Sequence, residues 1–227
     1  MIRRTVGNDW LLTTQPAHAI FAGEVASRYG NADFDPPTRR EPVLTAITLH
    51  DAGWSLHDDS PSLNKNGEPL HVFEMPLGEA LKIWSASVDR ATEQGGHYCG
   101  LLVSLHQLAL SAMPHPGMGP DPRRHFELNK FQQKQIERQE TFRRQIGLRT
   151  DMRLSRGLAP FGTSKEEDEL HRDFRLLTLM DRLSLQLCCG KMLFREIGDI
   201  VPRAGADPVT LTTGFVGEND LVIDPWH

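Results

Sequence analysis

The sequence has little that would mark a secreted, membrane-bound or nucleic-acid-binding protein. It contains 3 cysteines, two of them adjacent, which supports neither a disulfide framework nor a zinc-ribbon spacing. No apolar run approaches the roughly 20 residues that a membrane span requires, and the first ten residues lack a signal-peptide core. A formal net charge of −5 provides no basic field for nucleic acid or an anionic membrane. We therefore expect a cytoplasmic protein with reduced thiols.

Several common catalytic motifs are also absent. The chain has no Gly-x-Gly-x-x-Gly after a strand, no Gly-Lys-Ser/Thr and no Gly-x-Ser-x-Gly. Dinucleotide-binding, P-loop and α/β-hydrolase functions therefore lack support. Cys188 and Cys189 lie on the inner face of a predicted helix, where packing in the core is a more ordinary role than that of a nucleophile.

Helical patterns dominate the chain and lie between two predicted β-hairpins. With 227 residues, 39% of them hydrophobic, residues 1–227 can form a single domain around one core. We predict a hairpin at 1–14 around a Gly-Asn turn, and a second between 209 and 223 that could pair with it. Apolar spacing predicts helices at 16–29, 42–53, 77–93, 97–106, 127–147 and 165–188. The expected fold is mainly α, a helical bundle with a small β-sheet formed by the terminal segments.

Three local features refine this prediction. Ser164 and Glu167 form a capping-box pattern at the start of the last helix. The helix at 127–147 is crowded with Gln, Arg, Lys and Glu, so we expect it to be largely solvated. Residues 55–76 are rich in Pro, Asn, Gly and charge, which predicts a long ordered loop that closes over a neighbouring site.

Three predicted helices place a possible metal ligand on the face expected to be buried. His18 lies in the first, His50 and Asp51 end the second, and Asp181 lies in the last. A buried carboxylate without a partner costs several kcal/mol, and the apolar faces around the two aspartates offer no basic side chain. Arg182 projects about 100° away from Asp181 on the same helix. A divalent cation would satisfy both carboxylates.

Each of these residues also has a purely structural interpretation. His18 could be a satisfied histidine at a helix start, and His50 and Asp51 could cap the second helix. Asp181 could pair with an arginine from the helix at 127–147. The sequence leaves these alternatives open.

The order of the candidate ligands resembles the HD superfamily of metal-dependent phosphohydrolases. In this chain the motif is His18, His50-Asp51 and Asp181, with flanks TLHDAGW and LMDRLSLQL. The segments TTQPAHAIFAGEVA, HDAGW, GLLVSLH, MDRLSLQLC and IDPWH also resemble an uncharacterised bacterial family, a domain of unknown function with an HD-like core. That resemblance spans nearly the whole chain. It implies a helical fold and a metal site, but no substrate.

Two further histidines could extend the site to a second ion, as extra histidines do in some members of the superfamily. His97 and His106 are nine residues apart, so they face opposite ways on a helix, and only His106 shares the apolar face. His106 could equally be a core or substrate-contacting residue. The mixed nitrogen and oxygen ligands suit one or two ions of Fe, Mn, Co, Ni, Zn or Mg.

The function expected from these residues is hydrolysis by a metal-activated water, with Asp51 or His106 positioning the nucleophile or a proton. A small phosphorylated metabolite or nucleotide is the expected partner, and homo-oligomerisation is left open. We expect substrate contacts from Trp54, Asn64 to Asn66, Trp84 and His97, although packing and turn formation explain these residues equally well. Lys65 is the one cation expected there.

Two alternatives remain. A di-iron oxygenase, which related HD folds support, would need both His97 and His106. A non-enzymatic binding module would use the ion structurally, in a closed coordination sphere.

Overall fold

The computed structural model describes residues 1–114, 121–148, 164–217 and 220–225. A hairpin of β1 (Ile2–Val6) and β2 (Asp9–Thr13) is followed by helices and then by a second sheet. The helices are α1 (Gln15–Ala26), α2 (Arg40–Leu49), α3 (Ser55–Asp58), α4 (Leu77–Ser111), α5 (Pro122–Gln145) and α6 (Lys165–Cys189). The later strands are β3 (Glu196–Ile200), β4 (Val209–Val216) and β5 (Asp220–Asp224). The predicted mainly helical architecture is confirmed.

The helices begin where the sequence provides caps. The Thr14 hydroxyl accepts a hydrogen bond from Ala17 N–H at the start of α1, and Ser164 Oγ accepts one from Glu167 N–H at the start of α6. The Glu167 side chain does not complete the predicted capping box. It pairs with buried Arg143 of α5 instead, so only the serine half is formed.

The main core lies between α1, α2, α4 and α6, with the C-terminal sheet packed against it. Ala22, Ile47, Leu102 and Leu177 are fully buried there, one from each of these helices. Because each helix turns an apolar face to the same core, polar residues on those faces are brought together inside the protein. None of the helices in the described part of the chain could cross a membrane, given their length and polarity.

The element labelled α4 consists of two helices joined at a kink, which correspond to the helices predicted at 77–93 and 97–106. Gly96 interrupts it with φ 77° and ψ −174°, a conformation that is essentially restricted to glycine. The first half contacts the segment after α2 and also buries Val88 and Ala91 in the main core, which the second half enters as well.

The prediction that α5 is largely solvated is confirmed for most of its residues, which are exposed. Three glutamines are exceptions, because Gln132, Gln135 and Gln139 are buried against α4. Their amides find partners there: Gln139 donates to Ser104 Oγ at 3.1 Å, and Gln132 donates to Ser111 Oγ at 3.2 Å. Glutamines with such partners can be buried, which hydropathy alone does not indicate.

The terminal strands form two separate sheets, so the suggested pairing between the hairpins does not occur among the described residues. β1 pairs only with β2, and Ile2 packs on Leu185 and Cys189 of α6. β3, β4 and β5 form an antiparallel sheet whose Ile197 and Leu211 enter the main core. Strand β3 was not predicted.

The segment 55–76 is more structured than expected. It contains α3, a bridge between Leu63 and Pro69, and a 3₁₀ turn at Val72–Glu74. Met75 is buried with Trp54 and Ala80 in a small separate core. Packing of this kind holds the end of the segment beside the first half of α4.

Candidate metal centre

Four helices bring the five predicted ligands into one buried cluster. His18 comes from the first turn of α1, His50 caps the C-terminus of α2 and Asp51 follows it, while His106 and Asp181 project from α4 and α6. The three histidines are at most 2% exposed, and the Asp51 and Asp181 side chains are 7% and 13% exposed. Such burial of five polar side chains requires partners inside the cluster.

Asp181 is the centre of the cluster. Its Oδ1 atom lies 3.1 Å from His18 Nε2 and 3.3 Å from His50 Nε2, and its Oδ2 atom lies 3.7 Å from His106 Nε2. Asp51 Oδ2 lies 4.0 Å from His18 Nε2 and 3.7 Å from His50 Nε2. Ligands bound to one metal ion at about 2.1 Å are separated by about 3 to 4 Å, which is the range observed here.

Hydrogen bonds to the Nδ1 atoms of His18 and His50 determine which ring nitrogen carries the proton. The other nitrogen, Nε2, then faces the cluster as an acceptor. His50 Nδ1 lies 2.7 Å from Ile47 O, a carbonyl that can only accept, so Nδ1 carries the proton. Ser184 donates to Asp181 O and can therefore accept from His18 Nδ1 at 3.0 Å. The neutral forms of His18 and His50 then direct their Nε2 lone pairs at the carboxylates. Lone pairs facing each other in this way call for a cation or a proton between them.

His106 has no conventional partner in this cluster. Both of its ring nitrogens are buried without a hydrogen bond in the described structure, and the same holds for His50 Nε2. Burial lowers the pKa of His106 to about 3, so the ring is neutral. A neutral buried imidazole with an unpaired nitrogen is a costly arrangement unless that nitrogen has a ligand.

The charges of the cluster are strongly coupled. Burial opposes protonation of His50, but the carboxylates of Asp51 and Asp181 overcome it and raise the pKa of His50 to about 9. Burial would likewise raise the pKa of Asp181, yet His18 and His50 hold it well below its ordinary value. Burial raises the pKa of Asp51 despite the same histidines. The cluster thus attracts positive charge, either as a proton or as a metal ion.

Close packing after the His50-Asp51 pair positions these ligands. A side chain at Gly53 would lie 2.2 Å from Ile83 O and 2.6 Å from Ser87 N, so only glycine permits this approach of the chain to α4. The Gly53 N–H donates to Ser87 Oγ at 3.0 Å, and the Gln107 amide donates to His50 O at 2.8 Å. Both bonds attach the end of α2 to α4.

A cavity of about 300 Å³ opens next to the cluster. Asp51 and Asp181 form part of its wall, whereas the three histidines do not line it. The two carboxylates are therefore the part of the cluster that reaches this cavity. Its other lining residues are largely apolar: Trp54, Trp84, Val72, Phe73, Ala80 and Leu185 are among them.

The structure brings some of the predicted substrate residues to this cavity and leaves others elsewhere. Trp54 and Trp84 line it. Asn64 does not; its Oδ1 accepts from Asn66 N–H and Glu68 N–H, which is the turn role that the sequence left open. Lys65 is exposed in that turn, away from the cavity wall. His97 is also exposed, and its ring lies 5.9 Å from that of Phe142.

Among the described residues, Asp181 does not form the ion pair with an arginine of α5 that the sequence left open. Arg138 and Arg143 of that helix pair with Asp89 and Glu167. Arg182, next to Asp181, lies over the ring of Phe194 at 5.2 Å. Throughout the described ranges, no lysine or arginine side chain forms an ion pair with Asp51 or Asp181.

Two residues that orient the cluster were missed from the sequence. Gln15 donates to Asp51 Oδ2 at 3.1 Å, and Ser184 accepts from His18 as described above. Both could have been found, because Gln15 lies one turn before His18 and Ser184 one turn after Asp181, on the same helical faces.

Fold and site together define a mainly helical protein with three histidines and two aspartates gathered in one buried cluster. The chain belongs to a family described as a protein of unknown function (DUF3891), whose family model matches residues 1–227. The sequence-based assignment to an uncharacterised family is thereby confirmed. Comparisons with curated proteins and with solved structures gave no significant match.

Proposed function

We propose that this protein is a metal-dependent hydrolase that binds one or two divalent ions through His18, His50, Asp51, His106 and Asp181. The observation that carries the proposal is the convergence of three buried Nε2 atoms on the Asp181 carboxylate, two of them without a hydrogen-bond partner. Nitrogen and carboxylate ligands together suit first-row transition metals. The order of these ligands along the chain also resembles the HD superfamily, which we retain as part of the proposal.

The ion would lower the pKa of a bound water and polarise the bond to be cleaved. Asp51 lies at the cavity wall, where its carboxylate can accept a proton from that water. As the water oxygen bonded to the electrophilic centre of the substrate and the bond to the leaving group broke, Asp51 would pass this proton to the leaving group. Gln15 fixes the orientation of Asp51 by donating to Oδ2.

An enzymatic role is favoured over a structural ion because the two carboxylates reach a cavity. A structural site is normally closed by protein ligands, whereas a catalytic site keeps one position open. An oxygenase with two ions would need His97 as well as His106, and His97 lies outside the cluster. His106 leaves room for a second ion, since His50, His106 and Asp181 form a ligand group distinct from His18, His50 and Asp51.

The test is metal analysis of protein purified without chelator, followed by hydrolysis assays on a panel of esters, amides and phosphate esters. We expect near-stoichiometric transition metal, and activity that disappears on chelation and returns when the metal is restored. Asp51→Asn should lose both metal and activity. Protein that contains no metal and binds none on titration would refute the proposal.

A further inference from the structure

The cavity beside the metal centre is polar at one end and apolar elsewhere. Its polar lining residues are Gln15, Asp51 and Asp181, and the first two are joined by a hydrogen bond of 3.1 Å. The remaining described lining residues are apolar, and Trp54, Trp84 and Phe73 are aromatic. A ligand in this cavity therefore meets the metal with one end and hydrocarbon with the other.

The charge of the cavity limits what it can hold. None of the described lining residues is a lysine or an arginine. One divalent ion bound by Asp51 and Asp181 leaves the centre with no net charge, because imidazoles coordinate in their neutral form. A phosphate group would have to leave water without gaining a cationic partner in the wall, which costs several kcal/mol.

The size of the cavity also argues against a phosphorylated ligand such as a nucleotide. About 300 Å³ is at the lower end of the range for small-molecule sites, roughly 300 to 1,000 Å³. A nucleotide needs both a larger volume and polar contacts for its sugar and phosphates. The three aromatic side chains instead suit a ring or a branched apolar group.

Building on the proposed metal centre, we propose that the ligand is a small, uncharged molecule with an aromatic or branched apolar body and one oxygen-bearing group directed at the metal. For a hydrolase, an uncharged ester or amide meets this description. This replaces the phosphorylated substrate expected from the sequence.

The test compares two pairs of probes, and the members of each pair share a metal-binding group but differ in whether they carry a phenyl ring. Metal-loaded protein is titrated calorimetrically with benzohydroxamic acid and acetohydroxamic acid, and with inorganic phosphate and phenyl phosphate. The two hydroxamic acids are uncharged in solution and each releases one proton to the buffer on chelating the metal, so the difference between them reports the body alone. Burial of the phenyl ring should make benzohydroxamic acid bind about tenfold or more tightly than acetohydroxamic acid. Both phosphate probes should bind more weakly than benzohydroxamic acid.

Ala80 lines the cavity and is not one of the proposed metal ligands. Ala80→Leu adds a side chain to the cavity from α4, so it should abolish the preference for the ring while metal content is kept. Ala86→Leu is the matched control, because the same change on the same helix faces the groove toward α5 and not the cavity. Trp84→Ala, which removes part of the aromatic wall, should reduce the preference if Ala80→Leu does not fold.

The two proposals fail in different ways. Metal-loaded protein that binds both hydroxamic acids equally, or binds phenyl phosphate more tightly than benzohydroxamic acid, would overturn the ligand class and leave the metal centre intact. Protein that takes up no metal would overturn the proposed function, and the ligand class with it.

Discussion

Replacing Asp181 by asparagine should remove the metal while preserving the shape of the site. Asparagine keeps an oxygen at the position of Oδ1, but it loses the charge that lies within 3.1 to 3.7 Å of three Nε2 atoms. A ligand that binds only the folded state stabilises it by about 2.7 kcal/mol at a hundredfold excess over Kd. For a chain of this length each kcal/mol raises Tm by about 2 to 4 °C, so the metal should raise Tm of the wild type by about 5 to 10 °C.

The assay is differential scanning calorimetry with and without metal, together with metal analysis of the same samples. Asp181→Asn should show no metal-dependent increase in Tm and less than stoichiometric metal. Asp173→Asn is the matched control: it is another buried aspartate on α6, and its carboxylate accepts from Tyr98 Oη at 2.5 Å, away from the cluster. An unchanged metal content and Tm shift in Asp181→Asn would mean that Asp181 is not a metal ligand and that the ion is bound elsewhere.

Three further predictions concern stability. Arg143→Met should lower the free energy of unfolding by about 3 to 5 kcal/mol, because Glu167 would remain 1% exposed without its partner. Urea denaturation measures this loss, and adding Glu167→Gln should restore most of it. Gly96→Ala should cost about 1 to 3 kcal/mol, since its φ of 77° and ψ of −174° strain any other residue. Gly78→Ala, in the regular first turn of the same helix, should cost nothing; equal Tm values for the two variants would contradict this reasoning. Burial raises the pKa of Asp173 to about 6, so its contribution to stability is complete below about pH 4 and is lost as pH rises through 6. Relative to Asp173→Asn, the wild type should lose up to about 3 kcal/mol between pH 4 and pH 7, and parallel pH profiles of the two proteins would exclude this.

The sequence by itself was sufficient to locate the long helices and to select the candidate ligands that the fold brings together. Helical spacing placed His18, His50 and Asp181 on apolar faces, and a polar residue on such a face must be buried together with those of its neighbours. The helical pitch shows that His97 and His106, nine residues apart, face opposite ways. Because only His106 shares the apolar face of that helix, the sequence also assigned the inner position to His106.

Tertiary structure alone decided what surrounds these ligands. Periodicity places Gln15 and Ser184 on the faces of the cluster, but it does not reveal that they bond to Asp51 and His18. Nor does it reveal that the residues facing the cavity would be Val72 and Phe73 and not Asn64 and Lys65. Both outcomes depend on how segments distant in sequence pack, and close approaches such as that of Gly53 to α4 set these distances. The charge and size of the cavity are also decided only by tertiary structure. Its wall is built from α4, α6 and the segment before α4, and it exists only once those elements have packed.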